Sequence, residues 1–531
     1  MTTSSETPGS ARFPSPSRSL QGDANEPPFL VAGLVVLFTL LYGATAILNA
    51  ENKPPTVDEI YVLWISRHFP AANVFDALRM GLDGAAPGYY WLIDGFSAAF
   101  GQTKFAARLP SIIGIYLFGL SIFLLLRRRV HWSIALFALF ATACSGAASA
   151  AALVRPYALV VGCFGLASVA WVGFASGERR ILRCGVTILA LSFAMTIHFL
   201  AVFLVAALGI AELIRSWSDR RICWPYWACL TASCGTLLLW LPVVAPIYRL
   251  VNTHAHASGF YAKPTPARLV DAFGEILLGT SAERVLIVLA LLFVPLALAA
   301  HSRLSTKWRS TLFGEARPSH WDFRDLDILS FAALTMPIVA FAFSILITGV
   351  FNARHVLAAA LGIVLLAARG LAALRGGTLL ACMLLIVQVG LMAVQIKPGL
   401  SSIDERVELL KHAREPLAVV VPDGTDFFEL SETLPDPLRS RIAFVGMPSG
   451  LSSPDPEPEM IVRNWKSAVP ALPAYTAEEW FSKRAPFYLL YSTRGREGLT
   501  AWLMTHSQMR VVASQGRVWL LRIEGAALPA R

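Results

Sequence analysis

Two adjacent carboxylates, Asp58 and Glu59, lie in the first long polar segment of the chain, residues 49–108. Glu59 follows Thr56 at the spacing of a capping box, in which two side chains satisfy the free backbone amides at the start of a helix. Capping gives Glu59 a structural role and leaves Asp58 without one. A carboxylate at a membrane face is either a solvated surface acid or a general base that takes a proton from a hydroxyl. The sequence leaves both interpretations of Asp58 open.

Three nitrogen-bearing side chains stand next to long apolar runs: Arg155, His198 and Arg354. A cation this close to hydrocarbon costs free energy unless it has an anionic partner or extends to the lipid headgroups. Counting the apolar runs places all three on the same side of a membrane as Asp58. A lipid phosphate at that surface would satisfy them together. We therefore predict an anion-binding site on this side.

The remaining polar and sulfur ligands give weaker signals. The pair His254 and His256 has no Cys, Asp or Glu close in sequence that would complete a metal site. All seven cysteines lie in apolar segments or at their edges, where they are predicted to pack as small apolar side chains. Asp94 and Glu275 are acids for which the sequence indicates no partner. The sequence thus predicts no metal ion and no cofactor.

Long apolar segments recur along the chain, whose residues are 55% hydrophobic and only 15% charged. Runs of this length with few charges are typical of membrane-spanning helices. We predict a polytopic α-helical membrane protein with about 11 transmembrane helices. They cover residues 29–48, 109–126, 133–152, 156–174, 184–197, 199–214, 224–248, 284–300, 328–349, 356–374 and 377–396.

Basic clusters at alternate ends of these segments predict the orientation. Arginines at 127–129, 179–183, 215–221, 303–309 and 375 all fall on one side, which is the cytoplasm if basic loops stay inside. The net charge of +10 belongs to this membrane part, because the last 130 or so residues are nearly balanced. Basic membrane loops do not form the soluble basic face that nucleic-acid binding requires, so no nucleic-acid partner is predicted.

The chain is predicted to divide into three parts. Residues 1–28 are rich in Ser and Pro and should form a disordered cytoplasmic N-terminus. Residues 29–397 form the transmembrane part, with large exoplasmic loops at 49–108 and 249–283. Within the first loop, the short apolar stretch 88–100 is predicted to lie in the exoplasmic interface. Residues 398–531, where short apolar runs alternate with helical patterns, predict an exoplasmic α/β domain.

An ordered set of short motifs resembles the GT-C membrane glycosyltransferases, specifically the bacterial branch of the superfamily of protein O-mannosyltransferases and aminoarabinose transferases. Each motif is weak alone, and their order across the membrane part carries the resemblance. The motifs are Val57-Asp58-Glu59, Pro87-Gly88-Tyr89-Tyr90-Trp91, Arg108-Leu109-Pro110-Ser111, Arg155-Pro156-Tyr157, His198-Phe199 and Arg354-His355.

This resemblance implies a multi-pass enzyme of the cell (inner) membrane that transfers a hexose or pentose from a polyprenyl-phosphate donor to an acceptor, with inversion. Asp58 would be the catalytic base, with a pKa raised by the dry interface. The donor phosphate would be bound by Arg155, Tyr157, His198 and Arg354. Two cations suffice for the single charge that the leaving phosphate gains, which is why no metal is expected. Further candidate site residues are Glu59, Tyr89, Arg108 and His355.

The sequence departs from the family pattern in two places. Ala86-Pro87-Gly88 stands where the family commonly has Pro-Pro-Leu, which affects how the following helix would meet the donor. No lysine matches the phosphate-binding lysine of the aminoarabinose transferases, which argues against that particular activity. Lipid, polysaccharide and protein acceptors all remain compatible with the sequence.

Two other functions are compatible with a membrane protein of this kind. A transporter or flippase of a lipid-linked sugar would use the same interfacial cations, but it would favour broken helices and acids at the membrane midplane. A non-catalytic scaffold, whose last domain binds envelope components, would leave Asp58, Arg155 and Arg354 unexplained. The enzyme is the preferred interpretation, and transport is the alternative.

Overall fold

The computed structural model describes residues 28–256, 262–277, 323–374, 376–394, 402–448, 461–482, 486–492 and 498–526. Several predictions concern residues outside this part of the chain. They are the disordered N-terminus up to residue 27, the apolar segment 284–300 and the basic residues at 303–309 and 375.

Long apolar helices make up most of the described chain before residue 395. Seven are long and apolar enough to cross a membrane, or up to nine if two bent helix pairs each count as one span. This confirms the prediction of a polytopic α-helical membrane protein, and each predicted segment other than 284–300 falls on a helix. The helices are α1 Pro28–Asn52, α2 Val57–His68, α3 Val74–Arg79, α4 Pro87–Phe100, α5 Lys104–Leu126, α6 Trp132–Cys144, α7 Tyr157–Ala175, α8 Arg180–Ile197, α9 Val202–Asp219, α10 Trp224–Cys234, α11 Thr236–Leu239, α12 Leu241–His256, α13 Pro266–Leu277, α14 Arg324–Phe343, α15 Ala360–Ala373 and α16 Gly377–Val394.

Two segments predicted as continuous are bent. In the first, α6 and the 3-10 helix Gly146–Ala152 meet at 56°. The break falls at Ser145, which has an extended backbone (φ −80°, ψ 164°). In the second, the helices on either side of Trp240 meet at 70°, next to Pro242, which has no amide hydrogen to donate. The first bend leads the chain directly into the turn that carries Arg155.

Two helices lie among the described residues of the predicted loop 249–283. Helix α12 continues to His256, and α13 covers Pro266–Leu277. Apolar residues on one face of α13, such as Ala272 and Ile276, are buried, whereas Val270 is exposed. The predicted connection 249–283 thus contains an amphipathic helix, and its exoplasmic location stays a prediction.

The C-terminal part of the described chain contains a small mixed sheet, as predicted. Its strands lie in the order β3-β2-β1-β4-β6-β5. The first four are parallel, and β6 pairs antiparallel with β4 and β5. The elements are α17 Ser402–Leu410, β1 Val419–Val420, α18 Gly424–Thr433, α19 Asp436–Arg439, β2 Ile442–Val445, α20 Lys466–Ala468, β3 Ala474–Tyr475, α21 Ala477–Phe481, β4 Phe487–Ser492, α22 Gly498–His506, β5 Ser507–Gln515 and β6 Val518–Ala526.

The sheet region packs onto α2 through an aromatic cluster. Tyr61 and Trp64 of α2 each contact Phe428 of α18 and Trp465, with ring centroids 5.0–6.1 Å apart. At the edge of this cluster, Glu432 accepts hydrogen bonds from Trp64 Nε1 at 3.0 Å and from an Arg67 guanidinium nitrogen at 2.6 Å. Apolar burial thus joins the C-terminal region to the short helix that begins at Val57.

Candidate functional site

Asp58 lies in the first turn of α2, where its carboxylate faces two guanidinium groups. Its Oδ2 accepts a hydrogen bond from Arg354 Nη1 at 2.7 Å, and its Oδ1 is 3.9 Å from Arg155 Nη2. The side chain is 35% exposed. Residues that are far apart in sequence therefore converge on one partly open carboxylate.

Glu59, the neighbouring carboxylate, points into the protein. It is completely buried against Arg108, whose Nη2 lies 2.9 Å from Glu59 Oε1. The same oxygen accepts a hydrogen bond from the backbone N–H of Val154 at 2.8 Å. Glu59 Oε2 accepts from the Thr56 backbone at 2.9 Å, as the capping pattern indicates. The two candidates Glu59 and Arg108 thus hold the start of α2 against the Arg155 turn.

Arg108 also binds the backbone that precedes α2. Its Nη1 donates to the carbonyl oxygen of Lys53 at 2.8 Å and also to that of Ala50. One turn later in α5, the Ser111 hydroxyl donates to the carbonyl oxygen of Arg155 at 3.0 Å. Helix α5 therefore fixes the segments that carry Asp58 and Arg155 from one side.

Asp83 is a site residue that the sequence analysis missed. Its Oδ2 accepts a hydrogen bond from Arg155 Nη1 at 2.7 Å and another from the Tyr90 hydroxyl at 2.8 Å. Its Oδ1 accepts from the Gly84 backbone N–H at 2.7 Å. The side chain is almost fully buried. The available signal was an acid in the first polar segment with apolar residues on both sides, Leu82 before it and Ala85-Ala86 shortly after.

Three predicted residues form a ring cluster beside the arginines. The ring centroids of Tyr157 and His198 are 5.3 Å apart, those of His198 and His355 are 5.8 Å apart, and Tyr157 and His355 are 6.1 Å apart. His198 is buried, and neither of its ring nitrogens has a hydrogen-bond partner among the described residues. Tyr89, the remaining candidate, is completely buried on α4 next to Tyr90.

The electrostatics of the site differ from the sequence-based prediction for Asp58. Partial burial favours the neutral acid, but Arg155 and Arg354 outweigh burial, so the pKa of Asp58 is lowered from its ordinary value. The predicted rise was wrong because burial alone was considered. For His198, burial, together with the neighbouring His355 and Arg155, holds the pKa well below the usual range, so this imidazole is neutral at physiological pH.

One departure from the family motif, the glycine at position 88, has a structural explanation. A Cβ built on Gly88 would lie 2.4 Å from Thr196 Cγ2 and 2.6 Å from the Thr196 carbonyl oxygen. Helix α4 therefore packs directly against the end of α8, just before His198. A leucine at this position would collide with α8, so the glycine allows the short helix to approach the ring cluster.

Within the described ranges, no group of three or more His, Cys, Asp and Glu side chains is placed to hold a metal ion. The side chains of His254 and His256 lie outside the described part. The site as described consists of one exposed carboxylate, two arginines, Asp83 and the ring cluster.

Comparison with known proteins finds one matching family model and similar solved structures. Residues 84–245 match the family model "Dolichyl-phosphate-mannose-protein mannosyltransferase". The structure of ArnT from Cupriavidus metallidurans bound to undecaprenyl phosphate is similar over 92% of this chain and 98% of that chain, with 13% identity and a TM-score of 0.53. The apo ArnT structure from the same organism covers 93% and 98%, with 14% identity and a TM-score of 0.42.

The family model and the lipid-bound ArnT structure confirm the resemblance to the superfamily of protein O-mannosyltransferases and ArnT-like proteins. At this level of identity, the structural match establishes the fold. Among curated proteins, none matches this chain.

Proposed function

We propose that this chain, a multi-pass membrane protein with the fold of ArnT, transfers a sugar from a polyprenyl-phosphate donor to a hydroxyl acceptor with inversion at the anomeric carbon. One observation carries the proposal: Asp58 lies between Arg155 and Arg354 at a partly open surface. A carboxylate beside two guanidinium groups supplies a base for the acceptor and cations for the leaving phosphate.

The chemical step follows from these groups. Asp58 takes the proton of the acceptor hydroxyl while the oxygen of that hydroxyl forms a bond to the anomeric carbon. The bond between that carbon and the phosphate oxygen breaks, and its electron pair leaves with the polyprenyl phosphate. The phosphate gains about one negative charge, which Arg155 and Arg354 stabilise through charge-assisted hydrogen bonds. No redox partner is required.

Binding of the donor phosphate would also separate Asp58 from the arginines that lower its pKa. Arg354 Nη1 donates a hydrogen bond to Asp58 at 2.7 Å. A phosphate offers more acceptor oxygens than a carboxylate, so it competes for both arginines. As the arginines turn to the phosphate, Asp58 loses the partners that lower its pKa and becomes a better proton acceptor. Donor binding therefore precedes proton transfer.

Unpaired buried nitrogens support a donor site beside the arginines. In the described chain, Arg155 Nε and both nitrogens of His198 lack a hydrogen-bond partner. Buried polar groups rarely stay unpaired, so a ligand bound here would supply the hydrogen-bond partners of these nitrogens. Together with Tyr157 and Arg354 they would surround the phosphate and its sugar. Tyr89 and His355 line the same region, whereas Glu59 and Arg108 position it.

The proposed orientation follows from the basic loops. We place the site on the exoplasmic face of the cell (inner) membrane, with residues 1–28 in the cytoplasm and residues 398–531 outside. A reporter fused after residue 531 tests this directly. Activity of a reporter that works only in the cytoplasm would contradict this orientation.

The activity is tested with purified protein in liposomes and polyprenyl-phosphate sugars as donors. We expect Asp58→Asn to fold and to lose roughly 10²–10⁴-fold in turnover, the usual contribution of a general base. Asp94→Asn is the matched control, because Asp94 is an exposed acid of the same segment. Full turnover in a folded Asp58→Asn protein would remove Asp58 as the base. Movement of labelled lipid across the bilayer without sugar transfer would support the transporter instead.

A further inference from the structure

A polar cavity of ≈ 160 Å³ lies beside the proposed reaction centre. It is lined by Ala262, Arg268, Glu275, Phe351, Asn352 and Arg354. Arg354 also donates a hydrogen bond to Asp58 at 2.7 Å, so one residue lines the cavity and contacts the base. A ligand in this cavity would therefore lie next to Asp58.

The walls of the cavity are attached to elements that form the site. The backbone N–H of Phe351 donates to the carbonyl oxygen of Ala262 at 2.8 Å, which joins the segment before α13 to the segment before Arg354. A Cβ built on Gly146 would lie 1.7 Å from the carbonyl oxygen of Glu275. Helix α13 thus packs directly on the 3-10 helix that leads to Arg155. The cavity is fixed relative to both arginines.

The volume selects a small ligand. At ≈ 160 Å³, the cavity is smaller than the roughly 300–1,000 Å³ of pockets that hold drug-sized molecules. A ligand of the size of one sugar ring suits this space better than a long polyprenyl chain does.

The lining selects a polar ligand with many hydroxyl groups. Glu275 only accepts hydrogen bonds, the guanidinium groups of Arg268 and Arg354 only donate, and an asparagine amide does both. Asn352 Oδ1 already accepts from the Arg354 backbone at 3.0 Å, which orients its amide group. Sugar hydroxyls both donate and accept, so they can satisfy this mixed set. A simple anion has no hydrogen to donate and would leave the Glu275 carboxylate without a donor.

We propose that this cavity binds one monosaccharide unit during the transfer. The inference rests on the proposed function, since it assigns a place to a sugar beside the base. The sugar comes either from the donor or from a saccharide acceptor, and the two sources have the same hydroxyl chemistry. Binding of each can be measured separately.

The experiment uses Glu275→Gln and Arg268→Gln in the full-length protein, because both side chains are exposed and their loss leaves the core intact. The matched control is Asp271→Asn, another exposed acid of α13 that does not line the cavity. Three ligands are compared in liposomes: undecaprenyl phosphate, undecaprenyl-phosphate mannose, and a series of methyl glycosides with undecaprenyl phosphate present.

If the cavity holds the donor sugar, both variants bind undecaprenyl-phosphate mannose about tenfold more weakly and bind undecaprenyl phosphate as wild type does. If it holds an acceptor sugar, both lipids bind normally and a methyl glycoside loses about tenfold in affinity. Unchanged binding of all three ligands would overturn the inference, as would equal weakening of both lipids. Failure of the wild-type protein to bind either lipid would instead refute the proposed function, on which the inference rests.

Discussion

Asp58 and Glu59 are adjacent in sequence, yet the side chain of Asp58 is 35% exposed and that of Glu59 is completely buried. Successive residues of a helix point in different directions, so one carboxylate faces the two guanidinium groups while the other joins the backbone of Val154 to Arg108. Asp58 is thus placed for the reaction, and Glu59 positions the surrounding segments.

The first prediction is that amide substitutions of these two acids have different effects. Glu59→Gln leaves the buried guanidinium of Arg108 without its anion, and breaking such a pair costs about 3–5 kcal/mol of unfolding free energy. Asp58→Asn removes a partly exposed carboxylate and should change stability far less while abolishing most turnover. Thermal unfolding and turnover of both variants are measured together. Equal melting temperatures for the two variants would contradict this division.

The second prediction concerns pH. Burial favours the neutral acid, but Arg155 and Arg354 outweigh it and lower the pKa of Asp58, so the acid stays ionised below the pH at which an ordinary Asp titrates. The stability that this ion pair contributes is present above the unfolded pKa and is lost as the pH falls through the lowered folded pKa.

Replacing Arg354 with Gln removes one of the two cations and raises the pKa of Asp58. We expect the acidic limb of kcat/KM, which reports groups of the free enzyme, to move to higher pH. An Arg268→Gln protein is the control, because Arg268 lines the cavity and makes no ion pair with Asp58 among the described residues. An acidic limb that stays in place in Arg354→Gln would show that Asp58 does not set it.

The third prediction is that Asp83 positions Arg155. Asp83→Asn replaces the anion that binds Arg155 Nη1 at 2.7 Å, and we expect roughly tenfold or greater loss in affinity for undecaprenyl phosphate. Tyr90→Phe removes only the 2.8 Å hydrogen bond to Asp83 and should cost about 1 kcal/mol of stability. Lipid binding and thermal unfolding distinguish the two variants. If Asp83→Asn lowers stability alone and binds lipid normally, its role is structural.

The fourth prediction tests the approach of α4 to α8. Gly88→Ala places a methyl group 2.4 Å from Thr196 Cγ2, and we expect it to cost about 1–3 kcal/mol because α4 must move. Gly95→Ala is the matched control on the same helix, since a Cβ there meets nothing within 4 Å. Unfolding measurements should rank Gly95→Ala as neutral or slightly stabilising. Equal stability of the two variants would show that α4 does not press on α8.

The membrane helices and the principal charged residues could be predicted from the sequence. Long apolar runs with few charges predict spans without knowledge of their neighbours. Arg155 and Arg354 were recognisable because a cation beside hydrocarbon is rare and costly. The bends beside α6 and α12 could not be predicted, because they depend on local backbone geometry that the hydrophobic pattern does not record.

Long-range pairing could not be read from the sequence. Nothing near Asp83 indicates that its partner is Arg155, and nothing near Glu59 indicates Val154. The direction of the Asp58 pKa shift depends on the balance between burial and two cations, whose distances only the folded chain provides. Single residues with unusual surroundings were thus predictable, whereas the pairs they form were not.

The aromatic contact between α2 and the sheet region limits how this protein can be redesigned. Tyr61 and Trp64 bury their rings against Phe428 and Trp465, on the helix whose first turn carries Asp58. A chimera that takes its last 130 or so residues from a relative would leave those rings facing a foreign surface. Such exchanges should succeed only when α2 is transplanted with the sheet that supports it.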